Sequence, residues 1–323
     1  MIGACLSQGR AQTKSAVSYK NPVVDIAMPD PTVIKAADGY FYVYATESTR
    51  NVPIMKSKDL VEWTYCNTAF TNKTRPRFEP KAGIWAPDIN YINGKYVLYY
   101  AMSVWGGEQT CGIGVATANS PQGPFTDHGK MFRSNEIGVQ NSIDPSLLQY
   151  EGRNYLVWGS FRGIYVIELT ADGLSIMSGA KKKRIAGTAF EAVYIHKHGD
   201  YYYMFASIGS CCQGVKSTYK VVVGRSKKVW GPYKDKTGKP MLKNGYSLVI
   251  GANDHFVGNG HGSQIIQDDA GQDWLLYHGF SRSTPENGRI LLLDQIKWDH
   301  EGWPYVEGGS PSYETQKAPV FNN

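Results

Sequence analysis

A fivefold repeat constrains the fold of this 323-residue chain more than any other feature of its sequence. Each copy has a polar head residue, a short run of strand-forming residues, a turn, and then an aromatic-rich strand. The five heads are Asp30, Asp88, Asp144, Glu191 and His261. Hairpins repeated in this way are typical of β-propellers, in which each repeat forms one blade. The sequence therefore predicts an all-β fold, a five-bladed β-propeller in which each blade is a four-stranded antiparallel sheet.

The strand pattern also predicts the outer parts of the blades. Short strand-like segments predict a third strand in each of the first four blades, at Pro53–Ser57, Gly112–Ala118, Gly163–Leu169 and Tyr219–Ser226. Arg289–Trp298 belongs to blade five. The sequence is compatible with two ways of closing the ring. Either the N-terminal segment adds a strand to the last blade, or the N-terminal and C-terminal ends of the chain only abut.

Composition agrees with one closed β-architecture and argues against several function classes. Aromatic residues make up 13% of the chain, and they favour strands and present flat faces to sugar rings. The net charge is +6, but the basic residues are dispersed. The densest run, Lys181–Arg184, is interpreted as a solvated hairpin, so no nucleic-acid partner is expected. No transmembrane span or organic cofactor is indicated, and we expect a monomer.

The N-terminus resembles a processed export signal. Ile2-Gly3-Ala4-Cys5 is similar to the end of a bacterial lipoprotein signal, in which Cys5 would be lipidated; the alternative is a chance match of four residues. Residues 1–20 are therefore interpreted as a signal remnant and tether, and residues 21–323 as one catalytic propeller domain. The expected location is the bacterial cell envelope, as a periplasmic or cell-surface lipoprotein, or outside the cell. Membrane attachment is expected only through Cys5.

The remaining cysteines show no zinc-type spacing. Cys66 and Cys111 lie in strand-like segments and are interpreted as small buried hydrophobic residues. Adjacent Cys211 and Cys212 are compatible with a vicinal disulfide or with two thiols.

Acidic heads on innermost strands converge at one end of a propeller, although they are far apart in sequence. Two carboxyl groups facing each other across a pocket can hydrolyse a glycosidic bond: one donates a proton, and the other activates water or attacks. Crowded acids also raise each other's pKa values. A single Asp-Pro pair would be read as the start of a turn. Four acids in four repeats favour a site instead.

The motifs around the heads resemble those of glycoside hydrolase family 43, five-bladed propellers that cleave arabinose- and xylose-containing polysaccharides. The motifs are MPDPTVI, WAPDI, NSIDPSL, FEAVYI, GNGHGSQI and the closing stretch GRILLLDQIKWDHEGWP. The resemblance implies that Asp30 is the general base and Glu191 the general acid. It implies that Asp144 orients the acid and tunes its pKa. It also implies that His261 holds a structural calcium or sodium ion, coordinated largely by water.

Within that family the chain is most similar to the arabinanases, through SCCQGVKSTYKVVVGRS and GSFRGIYVIEL. The resemblance implies inverting hydrolysis of α-1,5-linked L-arabinofuranose in arabinan, a plant cell-wall polysaccharide, often at internal bonds. Three departures bear on the substrate and on endo or exo action. Pro29 stands where many arabinanases have His, Ala192-Val193 follows the acid, and Gln213 replaces an Arg.

The candidate substrate contacts lie near the predicted funnel. Trp85 and Trp105 lie near the mouth of blade two and could stack on sugar rings, whereas Trp158 and Trp274 lie within strands and are assigned to the core. The other candidates for polar contacts are Asp88, Asn141 and His278. For His261, the alternative to an ion ligand is a hydrogen-bonded core residue.

Three functions follow from the sequence, and each has a feature that separates it from the others. The leading hypothesis is an endo-1,5-α-L-arabinanase. An exo-acting α-L-arabinofuranosidase or a β-xylosidase would use the same acids with a differently shaped pocket. A non-catalytic carbohydrate-binding propeller would be expected to lack Asp30 or Glu191, and both are present.

Overall fold

The computed structural model describes residues 17–322, and β-strands dominate its regular structure. Five antiparallel sheets form a five-bladed β-propeller, which confirms the fold predicted from the repeats. Cys5 lies outside the described residues, so the predicted lipidation site has no structural counterpart here. The described chain begins within the predicted tether, where Ser18–Tyr19 already forms a strand.

Each of the first four blades uses strands that follow one another in the chain, whereas the sheet of blade five also includes β2. Two strands precede the blades, β1 (Ser18–Tyr19) and β2 (Val24–Ala27). Blade one contains β3 (Thr32–Lys35), β4 (Phe41–Tyr44), β5 (Pro53–Ser57) and β6 (Thr64–Thr68). Blade two contains β7 (Gly83–Ile92), β8 (Lys95–Ser103), β9 (Gly112–Ala118) and β10 (Thr126–Arg133). Blade three contains β11 (Ser146–Tyr150), β12 (Arg153–Trp158), β13 (Ile164–Glu168) and β14 (Lys183–Ala186).

The last two blades complete the ring. Blade four contains β15 (Glu191–His198), β16 (Tyr201–Ile208), β17 (Lys220–Ser226) and β18 (Ser247–Ile250). Blade five contains β19 (Phe256–Gly260), β20 (Ile266–Gln267), β21 (Asp273–Ser281), β22 (Arg289–Trp298) and β23 (Pro304–Tyr305); β24 (Gln316–Lys317) follows. The helical segments of residues 17–322 are α1 (Ser134–Ile137) and 3₁₀ turns at Gly214–Lys216, Met241–Lys243, Pro285–Asn287 and Glu307–Gly309. None of these segments could cross a bilayer.

The predicted third strands agree closely with the observed ones. Pro53–Ser57 and Gly112–Ala118 are confirmed to the residue. Gly163–Leu169 is one residue too long at each end, and Tyr219–Ser226 begins one residue too early. The agreement follows from the strictly local signals, alternating side chains and turn residues, that define a strand in a meander.

The N-terminal segment closes the ring, which decides between the two alternatives left open by the sequence. The sheet of blade five has the order β19-β21-β22-β2, so its outermost strand comes from the other end of the chain. Val24 of β2 pairs with Leu291 of β22. The side chain of Asn21 accepts a hydrogen bond from the backbone N–H of Leu293 and donates one to its carbonyl, at 2.9 Å each. Opening the ring would break all of these bonds.

Five large hydrophobic clusters form most of the core, one between each pair of neighbouring blades, and a small sixth cluster contains Ala101, Cys111 and Ile143. Trp158 and Trp274 are 0% and 2% exposed, which confirms their assignment to the core. Cys111 is fully buried as predicted, whereas Cys66 is only half-buried. Lys181–Arg184 is exposed, as expected for a solvated segment. Because the clusters lie between blades, polar groups at the axis are left free to form a site.

Candidate active site

Each innermost segment of the propeller contains a residue with left-handed backbone, just before, within or just after its strand. The φ angle is positive at Asp30, Ala86, Asp144, Ala192 and His261, one in each blade. Such angles cost free energy in residues with side chains, and they concentrate at functional sites. Two residues later the strand ladder resumes, for example with Thr32 opposite Tyr44 and Ser146 opposite Val157. The left-handed residues thus form an upper layer at the axis, and the residues two positions later form a lower layer.

The predicted position of Asp88 is wrong by two residues. Ala86 occupies the upper layer in blade two, and Asp88 pairs with Tyr99 in the lower layer. There the carboxylate accepts hydrogen bonds from the Leu147 backbone N–H and from Gln264 Nε2, both at 2.8 Å. Burial nevertheless raises the pKa of Asp88 to about 7. Asp88 lines a small axial cavity of about 30 Å³ and does not line the larger pocket.

The larger pocket lies above the upper layer and measures about 710 Å³. Its walls contain three of the four predicted acids, Asp30, Asp144 and Glu191, together with His261. Asp30 is 8% exposed, and Asp144 and Glu191 are each 7% exposed. The structure therefore brings together the three acids that the sequence assigned to catalysis.

Asp30 is held as an ionised carboxylate by partners from several blades. Its Oδ1 lies 2.7 Å from Arg289 Nη1 and 3.2 Å from His261 Nδ1, and its Oδ2 accepts a 2.6 Å hydrogen bond from Thr46 Oγ1. Burial alone would raise its pKa. The positive charge of Arg289, followed by that of His261, outweighs burial and holds the pKa of Asp30 well below its usual range. Asp30 can therefore accept a proton at neutral pH.

His278 lies behind Asp30 and does not line the pocket, although the sequence placed it among the substrate contacts. It is 0% exposed, and the Asp30 backbone N–H donates a 3.0 Å hydrogen bond to its Nδ1. Burial, followed by the charge of Arg289, holds the pKa of His278 well below its usual range, so its ring is neutral. His278 lies within the second strand of blade five, three residues before its end, and its buried side chain is packed away from the pocket. His278 thus positions the backbone of Asp30.

Glu191 lies in a less charged setting than Asp30. Its Oε2 accepts a 2.6 Å hydrogen bond from Ser160 Oγ, and the hydroxyl of Tyr219 also bonds to the carboxyl group. Burial raises the pKa of Glu191, and these two hydrogen bonds only partly oppose the effect. The ring of Tyr219 is itself stacked on His278, with 5.6 Å between the ring centroids. Glu191 can therefore keep its proton at a higher pH than Asp30.

Asp144 is coupled to Glu191 through both charge and backbone. Its Oδ2 accepts a 3.1 Å hydrogen bond from the backbone N–H of Ala192, the residue after Glu191. Burial raises the pKa of Asp144; the charge of His261 lowers it, and the charges of Glu191 and Asp30 raise it further. Two buried acids this strongly coupled titrate as a pair rather than as separate groups. The arrangement can both orient Glu191 and influence its protonation.

His261 borders both cavities and is tied to Asp30. Burial lowers its pKa, but the charges of Asp30, Asp144 and Glu191 outweigh burial and raise it overall. Its Nδ1 faces Asp30 Oδ1, which leaves Nε2 as the nitrogen available to another partner. A histidine whose other nitrogen bonds to a carboxylate is a common arrangement in metal ligands. The axial cavity beside it has room for about one water-sized species, so a single ion fits there only without a full shell of waters inside the cavity. As a ligand, His261 would have to be neutral, with the Nδ1 proton toward Asp30 and a free lone pair on Nε2.

Two tryptophans and an asparagine line the pocket as predicted. Trp85 and Trp105 lie with their ring centroids 5.4 Å apart, and Trp105 is 78% exposed. Two aromatic rings side by side at a pocket offer flat apolar faces with polar edges, which suit a sugar ring. Asn141 also lines the pocket and donates a 2.9 Å hydrogen bond to Ser160 Oγ, the hydroxyl that bonds to Glu191.

The adjacent cysteines form a disulfide in the structure, which decides between the two forms left open by the sequence. Cys211 and Cys212 line the pocket on the side of blade four. They add a compact sulfur surface to the pocket wall.

The sequence did not identify four residues that contact the acids: Thr46, Ser160, Tyr219 and Arg289. The sequence could have predicted that Asp30 has a partner such as Arg289, because a buried carboxylate requires a cationic or hydrogen-bonding group beside it. The chain contains 34 Lys and Arg residues, however, and nothing in the sequence says which one reaches Asp30. That contact joins residues 259 positions apart.

Known proteins are similar to this chain in both sequence and fold. Residues 19–304 match the family described as Glycosyl hydrolases family 43. The chain is 36% identical over 306 residues to the extracellular exo-α-(1→5)-L-arabinofuranosidase ArbA of Cellvibrio japonicus, with 86% of each chain covered. It is 36% identical over 289 residues to the extracellular endo-α-(1→5)-L-arabinanase 1 of Bacillus subtilis, with 85% of this chain and 86% of the relative covered. The α-L-arabinanase of Cellvibrio cellulosa, solved in complex with arabinohexaose, superposes with a TM-score of 0.79 at 33% identity, with 88% of this chain and 96% of that chain covered.

Proposed function

The chain belongs to glycosyl hydrolase family 43, and we propose that this enzyme hydrolyses α-1,5-linked L-arabinofuranose in arabinan at internal bonds, with inversion. The observation that carries the proposal is the contrast between two buried acids in one pocket. The surroundings of Asp30 favour the charged form, whereas those of Glu191 favour the protonated form. Acids whose pKa values are driven apart in this way suit the roles of base and acid.

The proposed mechanism assigns one task to each group. Glu191 donates its proton to the glycosidic oxygen as the bond to the anomeric carbon breaks. Asp30 takes a proton from a water molecule that attacks the opposite face of the sugar. Asp144 orients Glu191 through the backbone of Ala192, and the two buried acids influence each other's protonation. Inversion requires space for this water, so we expect the carboxyl groups of Asp30 and Glu191 to lie about 6.5–9.5 Å apart.

The relatives support arabinan as the substrate but divide over the mode of cleavage. One similar protein is named as exo-acting and another as endo-acting, at the same identity. We favour internal cleavage because a pocket of about 710 Å³ exceeds the space needed for one sugar ring, and because Trp85 and Trp105 extend its wall beyond the acids. These two side chains and Asn141 are the proposed substrate contacts.

Incubation with debranched arabinan, followed by sizing of the early products, tests this proposal. A ladder of arabino-oligosaccharides is the expected result. If arabinose is the only early product, the enzyme cleaves from the chain end and the proposal of internal cleavage is wrong. Activity on xylo-oligosaccharides with none on arabinan would assign the same acids to a β-xylosidase. Tight binding of arabinan with no products at all would favour a carbohydrate-binding propeller.

We further propose that His261 contributes one nitrogen to a hydrated calcium or sodium ion in the axial cavity. The carboxyl groups of Asp88 and Asp144 border that cavity, and their ionised forms would favour a cation. A bound ion would supply fixed positive charge beneath the acids. Chelation should then lower the melting temperature, calcium should restore it, and His261→Ala should remove the calcium effect. A crystallographic map with one ordinary water beside His261 would disprove this assignment.

We also propose that the enzyme acts outside the cytoplasm as a monomer, attached through lipidated Cys5 if at all. Both curated relatives named above are extracellular. Fractionation of producing cells tests the location, and Cys5→Ser should release any membrane-bound fraction. Light scattering tests the monomer.

A further inference from the structure

A second cluster of ligand-type side chains lies at the end of the propeller opposite the acids. Glu191 is the first residue of β15, and His198 is the last. At about 3.3 Å per residue, the strand separates them by about 20 Å. His196 and His198 are two residues apart on this strand, so their side chains lie on the same side of the sheet. Asp273, the first residue of the neighbouring β21, lies beside them.

The three side chains have the spacing of a metal site. One potential ligand atom from each of His196, His198 and Asp273 lies within 4.8 Å of the other two. The closest measured pair is His198 Nδ1 and Asp273 Oδ2, at 3.7 Å. Two atoms bound tetrahedrally to one zinc ion lie about 3.3–3.4 Å apart, given bonds of about 2.0–2.1 Å. Small side-chain rotations would therefore close the site. Among residues 17–322, no other group of three His, Cys, Asp or Glu side chains meets this spacing.

Neighbouring side chains hold the carboxylate and one imidazole in place. Asp273 is 4% exposed; its Oδ2 accepts a 2.8 Å hydrogen bond from Trp298 Nε1, and its Oδ1 accepts one from Gln267 Nε2 at 3.2 Å. The ring of Trp298 is stacked on His198, with 3.7 Å between centroids and 8° between planes. Outer-shell contacts of this kind orient metal ligands and raise affinity. Stacking alone would account for the His198–Trp298 pair, but not for a buried carboxylate that faces two imidazoles.

The cluster is also accessible and chemically competent. The side chain of His198 is 38% exposed, which leaves a path from solvent and room for a further ligand. The side chain of His196 is half-buried and offers a second imidazole nitrogen. Two nitrogens and one carboxylate oxygen suit zinc and its first-row neighbours, whereas calcium prefers oxygen ligands.

We propose that His196, His198 and Asp273 bind one transition-metal dication, zinc by the nature of the donor set, with solvent in the remaining position. The ion would join the innermost strand of blade four to the second strand of blade five. It would be separate from the axial ion proposed at His261. The site does not depend on the proposed hydrolysis, because its ligands lie at the other end of the strands.

Cobalt binding tests the site without any measurement of activity. Protein without a histidine tag is stripped with a chelator, desalted and titrated with Co²⁺, whose visible absorption bands report coordination by nitrogen and oxygen ligands. We expect saturation at one equivalent and displacement by Zn²⁺. His198→Ala and Asp273→Asn should each weaken binding at least tenfold, whereas His300→Ala, which removes an exposed histidine, should bind as wild type does. Zinc should raise the melting temperature of wild type by several degrees and leave that of His198→Ala unchanged.

The outcomes separate this site from the axial one. Wild-type affinity in both His198→Ala and Asp273→Asn would overturn the proposal, as would the absence of saturable cobalt binding. Loss of binding only in His261→Ala would place the ion at the axis and would also overturn it. If Asp273→Asn fails to fold, His198→Ala decides alone, because the side chain it removes is partly exposed.

Discussion

Replacement of Arg289 by methionine should raise the pKa of Asp30 and shift the acid limb of the pH–rate profile upward. The guanidinium lies 2.7 Å from Asp30 Oδ1, and the two side chains are only 17% and 11% exposed, so solvent screens the pair weakly. A hydrogen bond to a charged group contributes about 1.5–3 kcal/mol. Because one pKa unit corresponds to about 1.36 kcal/mol, the pKa of Asp30 should rise by about 1–2 units.

The sign follows from the role proposed for Asp30. A base acts only in its ionised form, so activity is lost as the pH falls through its pKa, and a higher pKa moves that loss to higher pH. The same contact contributes stability that is present above the ordinary aspartate pKa and is lost as the pH falls through the depressed value. At neutral pH, removal of one partner of a buried pair should cost up to about 3–5 kcal/mol, and less if Asp30 takes up a proton.

The assay is kcat/KM on debranched arabinan as a function of pH, within the range where circular dichroism shows an intact fold. The profile of kcat/KM reports ionisations of the free enzyme. Arg289→Lys keeps a positive charge and should shift the acid limb less than methionine does. Arg282→Met, an exposed arginine of the same blade, serves as the matched control and should leave the limb in place. An unchanged acid limb in Arg289→Met would refute the claim that Arg289 controls the ionisation of Asp30.

Three further predictions concern the acids themselves. Glu191→Gln should lower kcat by about 10²–10⁴-fold while leaving binding of arabino-oligosaccharides intact, as measured by calorimetry, and near-normal turnover would exclude Glu191 as the acid. Asp144→Asn should lower the pKa of Glu191, because it removes a neighbouring negative charge, and should move the alkaline limb to lower pH; a limb that stays in place would mean that Asp144 acts through geometry alone. The first product detected by proton NMR should have the inverted anomeric configuration, and first appearance of the α-anomer from an α-linked substrate would make Asp30 a nucleophile.

The sequence by itself determined the blades and the three acids of the pocket. Strands such as Pro53–Ser57 and Gly112–Ala118 were predicted to the residue because alternation and turns are encoded within a few neighbouring positions. Asp30, Asp144 and Glu191 were brought into one pocket because a propeller places the heads of its innermost strands around one axis. These conclusions depend on local pattern and on symmetry, and both can be read from one chain.

The tertiary structure alone decided which groups surround those acids. In blade two the left-handed residue is Ala86, so Asp88 lies in the lower layer. The motif WAPDI matches the family pattern but does not reveal this displacement. Arg289 reaches Asp30 only because the ring closes through the N-terminal strand, which pairs with the strand that carries Arg289. Ionisation of a buried acid depends on charges a few ångströms away, and in a closed ring those charges come from distant parts of the chain. Local sequence therefore specifies the acids, whereas the packing of blade against blade determines their protonation.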